Sequence, residues 1–368
     1  MNATDDLSLE YRSFSLDLAK PLETADGTID SRDGFLVRLV DEGTDGDGIA
    51  AGSGDESPVG YGEATPLQGW TESRADCEDA LERARDALES GGPSDALEVV
   101  DRQVAARHAL ALALADLQAT REATPLYRYL GQGPMVGRVP VNATISDGST
   151  TDTVAEARAA VDRGFDCCKL KAGLRRVEED IERVRRVREA VGSGVELRVD
   201  ANEAWTYEEA ECALEGFAEH GVSILEQPLP AGALQGHADL RAQSEGVDIA
   251  LDEGLLEHGV DAICEAGAAD VVVLKPMALG GIDVARKVAA WLTELDITPL
   301  VTTTIDGVVA RTGAVHLAAA IPDVPACGLA TGDLLATDLG RDPVLLEKGS
   351  AVVPQAKGLG VSDVWDER

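Results

Sequence analysis

The chain has 368 residues, an apolar fraction of 44% and a formal charge of −35. That length exceeds one small domain and fits a large barrel with a smaller companion, and the apolar content suffices for a sizeable core. The acids are dispersed rather than gathered in one block, which excludes nucleic acid and anionic membrane as natural partners and predicts a surface suited to concentrated salt. The six cysteines (77, 167, 168, 212, 264 and 327) form no C-x-x-C and no zinc-spaced cluster with histidine. They are expected to be reduced thiols of a cytoplasmic protein. The first residues carry neither a basic region nor an apolar stretch, and no run is long and apolar enough to span a bilayer.

In chain order, residues 7–18 alternate like a strand, and 20–32 read as a polar turn segment with Pro21 and Gly27. Strands follow at 35–40 and 59–64, separated by a Gly-, Asp- and Ser-rich hairpin loop over 41–58. Thr71 can cap a helix running to about residue 89, and a second helix follows Pro93-Ser94. A third, near 103–118, is apolar almost all round and should be buried. Residues 1–137 therefore form an α+β domain. From Val139 the pattern becomes strand then helix, repeated. Strands are expected at 139–145, near 165–171, and at 195–200, 222–226, 247–252, 270–275, 297–303 and 327–330. Helices are expected at 152–163, 177–190, 206–219, 233–244, 257–266, 281–294 and 307–319. The fold class is thus α/β, a (β/α)8 TIM-type barrel over 138–340 carrying an N-terminal α+β capping domain. An open doubly wound sheet fits less well, because no G-x-G-x-x-G follows any strand. Residues 341–368 have no further unit and are expected to pack back on the cap.

The strand ends carry the chemistry. Lys169 and Lys171 lie two apart in one strand and so share a face. Two like charges on one face need negative partners, and these end the next three strands: Asp200, Glu226 and Asp252. Lys275 ends the sixth. Lysine is scarce here, with seven in the chain (20, 169, 171, 275, 287, 348 and 357), so three at apolar strand ends are not there for solubility. In a barrel, groups at the C-terminal strand ends converge. Three oxygen ligands without His or Cys suit Mg²⁺, with Mn²⁺ as a substitute; the alternative is that these carboxylates only pair with basic neighbours. With a metal between them, Lys171 and Lys275 fit proton removal beside a carboxylate, and crowding by Lys169 and the metal would favour Lys171 as the base.

Lys169-x-Lys171, Asp200-Ala-Asn202, Glu226-Gln-Pro228, Asp252-Glu253 and Lys275-Pro276, in that order, resemble the active-site motifs of the enolase superfamily, muconate-lactonising subgroup. Gly60-Tyr-Gly-Glu-Ala-Thr-Pro-Leu and residues 105–131 are similar to its cap strand and its cap-to-barrel stretch. Within the subgroup, Gly27-Thr-Ile, Arg32-Asp-Gly-Phe-Leu-Val-Arg, Gly62-Glu-Ala-Thr-Pro-Leu, Lys275-Pro-Met-Ala-Leu-Gly-Gly and Thr302-Thr-Thr-Ile-Asp look most like the o-succinylbenzoate synthases of menaquinone biosynthesis. The resemblance implies a Mg²⁺-assisted lyase that dehydrates 2-succinyl-6-hydroxy-2,4-cyclohexadiene-1-carboxylate. Lys171 would remove the α-proton and Lys275 would stabilise the enediolate. Lys169 would hold a carboxylate oxygen and depress the pKa of Lys171, and Asn202 and Thr302 would face the substrate. By strand alternation Arg198, two residues before Asp200, shares its inward face and could meet a substrate carboxylate. For Arg198 an interior salt bridge fits equally well. One departure is Asp306-Gly307, where relatives often have Glu and Ser.

The same two lysines also suit racemisation of N-acylamino acids or epimerisation of dipeptides. Cycloisomerisation of the muconate type and a non-catalytic binding scaffold complete the alternatives. The expected partner is a small carboxylate; the sequence leaves homo-oligomerisation open. The histidines (108, 220, 237, 258 and 316) lie on helix patterns or in loops, none at a barrel strand end. Trp70 and Trp205 are expected mainly to pack.

Overall fold

The architecture is taken from a computed structural model, which describes residues 7–24, 27–43, 57–131 and 135–365. The cap begins with an antiparallel sheet in the order β1 (Leu7–Thr24), β2 (Gly27–Asp41), β3 (Val59–Ala64). Residues 20–32 are mostly paired strand rather than the expected turn segment. The register runs from Leu7↔Asp41 to Asp17↔Ser31, shifts, and resumes at Leu22↔Ile29. Pro21 falls in that shift, where a residue without an N–H interrupts the ladder without ending the strand. Of the expected hairpin loop, residues 44–56 lie outside the described residues.

Helices α1 (Arg74–Gly91), α2 (Pro93–Val99), α3 (Val104–Arg121) and α4 (Leu126–Leu130) complete the cap. The cap residue of α1 is Ser73, which accepts from Asp76 N, rather than Thr71. Thr71 instead accepts from Leu67 N and closes a turn discussed below. As expected, α3 is buried on most of its circumference. It lies so close to β3 that a Cβ at Gly60 or Gly62 would collide with the carbonyl oxygens of Ala113 and Ala109. Glycine is required there for close approach.

The barrel opens with two short pieces, β4 (Arg138–Pro140) and β5 (Ala143–Ile145), where one continuous strand was expected. Strand and helix then alternate: α5 (Thr150–Asp162), β6 (Cys167–Lys171), α6 (Val177–Val191), β7 (Glu196–Asp200), α7 (Tyr207–Glu219), β8 (Val222–Glu226), α8 (Leu234–Gln243), β9 (Asp248–Leu251), α9 (Glu253–Ala266), β10 (Val271–Leu274), α10 (Ile282–Glu294), β11 (Thr298–Val301) and α11 (Val308–Ala319). Helix starts are locally encoded: Ser149 caps α5, and Thr206 forms a capping box with Glu209 at α7. Helix α9 starts four residues before its expected position and breaks at Gly259, whose φ of 75° is left-handed.

Strands β5 to β11 form one parallel sheet in sequence order. The eighth position is reduced to single bridges, Thr302↔Gly328 and Val141↔Cys327, which join the sheet's two edges. Inside the ring, Ile224, Ala250, Val271, Val273 and Leu300 make a separate apolar cluster. Three of these stand two residues before Glu226, Asp252 and Lys275, so they lie one layer below the charged mouth.

The tail divides its contacts. Strands β12 (Leu346–Glu347) and β13 (Ser350–Val352) add to β4. Farther on, Arg12 of the cap donates to Val364 O at 2.8 Å, and Arg38 lies 4.4 Å over the Trp365 ring.

Candidate active site

Strand alternation and a shared parallel register place the charged residues at one end of the barrel. Lys171 pairs with Asp200 across β6–β7, and Asp200 with Glu226 across β7–β8. Asp252 and Lys275 directly follow β9 and β10. β6 and β10 are separated by the three strands that lead to the carboxylates, so Lys171 and Lys275 stand on opposite walls of the ring.

The side chains form two groups, one around Asp200 and one on the far wall. Lys169 Nζ donates to Asp200 Oδ2 at 2.8 Å and to both oxygens of Glu226 at 2.9 and 3.0 Å. Lys171 Nζ donates to Asp200 Oδ2 at 2.6 Å and to Asn202 Oδ1 at 2.7 Å. Asn202, with φ 42°, turns its Nδ2 to Glu253 Oε1 at 3.1 Å. On the far wall Lys275 Nζ donates to Asp252 Oδ2 at 2.6 Å. Its ammonium also lies 3.3 Å from the centre of the Trp70 ring.

The electrostatics follow from burial. Asp200 and Glu226 expose 1% and 2% of their side chains, against 35% for Lys171. Burial raises the carboxyl pKa of Asp200, but Lys169 and Lys171 overcome it and hold the group well below its usual range. Glu226 is pushed up, first by burial and then by the neighbouring Asp200, with Lys169 opposing. Asp252 is raised by burial, against the pull of Lys275, and Glu253 likewise. Burial would lower the Lys169 pKa, yet Asp200 and Glu226 outweigh it and raise the group above the normal lysine range.

The residues fit a divalent cation. Asp200, Glu226, Asp252 and Glu253 outnumber the three ammonium groups among them. Asp252 Oδ1 and Glu253 Oε2 are buried without a hydrogen-bond partner, a costly state for an oxygen that carries charge. Among the described residues no three carboxylates close into a ligand set, because Lys169 lies between Asp200 and Glu226 and Lys275 holds Asp252. Asp200, Glu226 and Asp252 are the residues that would hold Mg²⁺.

Two residues expected to face the substrate have structural partners instead. Arg198 is one layer deeper than Asp200, and its head turns away from the mouth. It bonds Glu196 at 2.8 and 3.2 Å and donates to Ala326 O at 2.6 Å, an interior salt bridge with 2% of the side chain exposed. Thr302 Oγ1 donates to Gly328 O at 2.9 Å, so its proton is committed to the barrel seam.

Three residues gain a place that sequence reasoning had not given them. Glu253 joins the network through Asn202. Gln227 Oε1 accepts from the backbone N–H groups of Asp252 and Gly254, both at 3.0 Å, and so sets the turn that carries Asp252. Trp70 comes from the cap and covers Lys275, whereas Trp205 packs against Phe217 as expected. At the departure from the family pattern, Gly307 N and Ala310 N donate to Glu63 of the cap, and Asp306 accepts from Thr304.

A barrel whose consecutive strands end in Lys-x-Lys, Asp, Glu, Asp and Lys gathers acid, base and ligand groups at one mouth, the arrangement of an enzyme's active site. The chain belongs to the enolase superfamily: residues 152–366 match the family of enolase C-terminal domain-like proteins. It is 30% identical over 366 residues to a hydrophobic dipeptide epimerase of Enterococcus faecalis, covering 96% of this chain and 98% of that one. It is 33% identical over 267 residues to muconate cycloisomerase 1-2 of Acinetobacter lwoffii, covering 71% and 68%. Among solved structures, a dipeptide epimerase from Enterococcus faecalis complexed with Mg and the dipeptide L-Leu-L-Tyr superposes with a TM-score of 0.81. The identity there is 28%, with 96% of this chain and 99% of that one covered.

Proposed function

We infer that the chain epimerises a small carboxylate substrate, a dipeptide or an N-acylated amino acid, by moving the proton on the carbon next to the carboxylate. The observation that carries this reading is the placement of Lys171 and Lys275 on opposite walls with the carboxylates between them. The epimerase likeness over nearly the whole chain supports it. Lys171 accepts the α-proton on one face, the electron pair moves into the carboxylate, and Lys275 returns a proton on the other face. A Mg²⁺ held by Asp200, Glu226 and Asp252 would offset the charge that builds on the substrate carboxylate. Lys169 holds Asp200 and Glu226 in register, and Asn202 orients the Lys171 amine.

A second reading, syn-dehydration to o-succinylbenzoate, draws on the asymmetry of the two lysines. Lys275 is ion-paired beneath Trp70 with 13% of its side chain exposed, against 35% for Lys171. A one-base reaction needs one proton carrier and one fixed cation. The test is kcat/KM over hydrophobic dipeptides, N-succinylamino acids, cis,cis-muconate and 2-succinyl-6-hydroxy-2,4-cyclohexadiene-1-carboxylate. Epimerisation is expected to be fastest. A wide margin for the cyclohexadiene substrate transfers the assignment to the dehydratase, and no turnover of any of them leaves a binding scaffold.

The dispersed charge of −35 supports a working environment of concentrated salt. The melting temperature is expected to rise on passing from dilute buffer to molar KCl. A salt-insensitive transition would remove this inference.

A further inference from the structure

Trp70 reaches the barrel from a short cap segment fixed at both ends. At its start, buried Arg32 donates to Thr65 O at 2.8 Å and to Pro66 O at 3.2 Å. The same guanidinium donates to Ile305 O of the barrel at 3.1 Å. Thr65 N points at Met277 Sδ, two residues past Lys275. At its end, Trp70 N and Thr71 N donate to Leu67 O at 3.0 and 2.9 Å, and Leu67 N donates back to Thr71 Oγ1 at 2.8 Å. Gly69, with φ 83°, permits this closed turn. The indole projected from it lines a small recess together with Leu255, Leu256, Ala278 and Leu279, and Lys275 and Asp252 line the same recess.

A lysine ammonium has three N–H donors. On Lys275 one is taken by Asp252 Oδ2, and the ring face of Trp70 occupies a second direction. The third has no hydrogen-bond partner among the described residues. An ammonium beneath an aromatic face is held electrostatically without giving up a hydrogen bond to a competitor.

We propose that Trp70 is a positioning residue for Lys275: the cap-borne ring fixes the ammonium's direction, so that docking of the cap and readiness of the far-wall lysine are one event. This rests on the reading of Lys275 as the group acting on the second face. The test therefore has an arm that needs no turnover. The intact protein is treated with a small amine-acylating reagent, and modification of Lys171 and Lys275 is followed by peptide mass mapping. Lys275 is expected to react several-fold faster in Trp70→Leu than in wild type, with Trp70→Phe near wild type and Lys171 unchanged throughout. An unchanged Lys275 rate in a Trp70→Leu protein with native circular dichroism overturns the proposal.

Tryptophan emission supplies a measurement that does not depend on Trp70→Leu folding. Lys275→Met is expected to change emission in the wild-type background and not in Trp70→Phe; equal changes in both overturn the proposal. In the activity arm, Trp70→Leu is expected to lower kcat about tenfold with a smaller effect on KM, and Trp70→Phe to recover most of the loss. Unaltered kcat in Trp70→Leu also overturns it. If the labelling and emission results hold while the wild type turns over no epimerase substrate, the positioning role stands and the epimerase reading falls.

Discussion

Lys171→Ala and Lys275→Ala are each expected to lower kcat/KM by about 10²–10⁴-fold, the range lost when a positioned general acid or base is removed. The fold should tolerate both changes. Lys171 is the more exposed of the two, and Asp200 keeps Lys169 as a partner when Lys171 is gone. Lys275→Ala removes the ion pair of Asp252, so a circular dichroism control accompanies it. Proton exchange in D₂O adds what rates alone do not give. In a two-base epimerase, Lys171→Ala still exchanges the α-proton of the isomer that faces Lys275, and Lys275→Ala exchanges that of its mirror-related partner. In a one-base dehydratase, Lys171→Ala exchanges neither. Either variant retaining activity within tenfold of wild type would remove that lysine from the chemistry.

Exhaustive chelation is expected to abolish turnover, and Mg²⁺ to restore it. The physical ground is the excess of carboxylate over ammonium in a nearly closed space. Burial and mutual repulsion already push Glu226 and Asp252 upward, and two oxygens have no partner. A cation that binds only the folded state also stabilises it, by about 2.7 kcal/mol at one hundred times its dissociation constant. Added Mg²⁺ should therefore raise the melting temperature of the chelated protein. Glu226→Gln, which removes one buried negative charge and keeps the shape, should lose most of that rise along with activity. A chelated protein that is fully active and thermally indifferent to Mg²⁺ would dismiss the three carboxylates as ligands.

The barrel was legible because its signals are local and repeated. Apolar runs, five of them ending in a charged residue and each followed by a 3.6-residue period, locate seven strands and their helices to within a few residues. Legibility failed where the decisive partner is distant in sequence. Pro21 and Gly27 look like turn punctuation, and only the ladder to residues 29–31 shows a strand that passes through Pro21. The start of α9 was hidden because Asp252-Glu253 ends a strand and begins a helix at once. Alternation assigned Arg198 to the correct face, yet period two says nothing about whether a long side chain turns toward the mouth or away from it; Glu196 and Ala326 decide that. Trp70 was read as packing, because no spacing rule connects a cap turn to a lysine some two hundred residues later.

The stitch between the cap and residues 358–365 bears on how the molecule is made. Thr124 and Leu126 exchange backbone hydrogen bonds with Gly358, Asp116 accepts from Leu359 N, and Arg12 reaches Val364. On a ribosome, the cap sheet and α3 emerge before the barrel and then wait for all of it to be synthesised before these contacts can form. Closing so long a loop is slow and entropically unfavourable, and a waiting cap presents uncovered surface meanwhile. Assembly of the molecule should therefore finish late, with the cap locking only after the final barrel unit and the segment that follows it have left the exit tunnel.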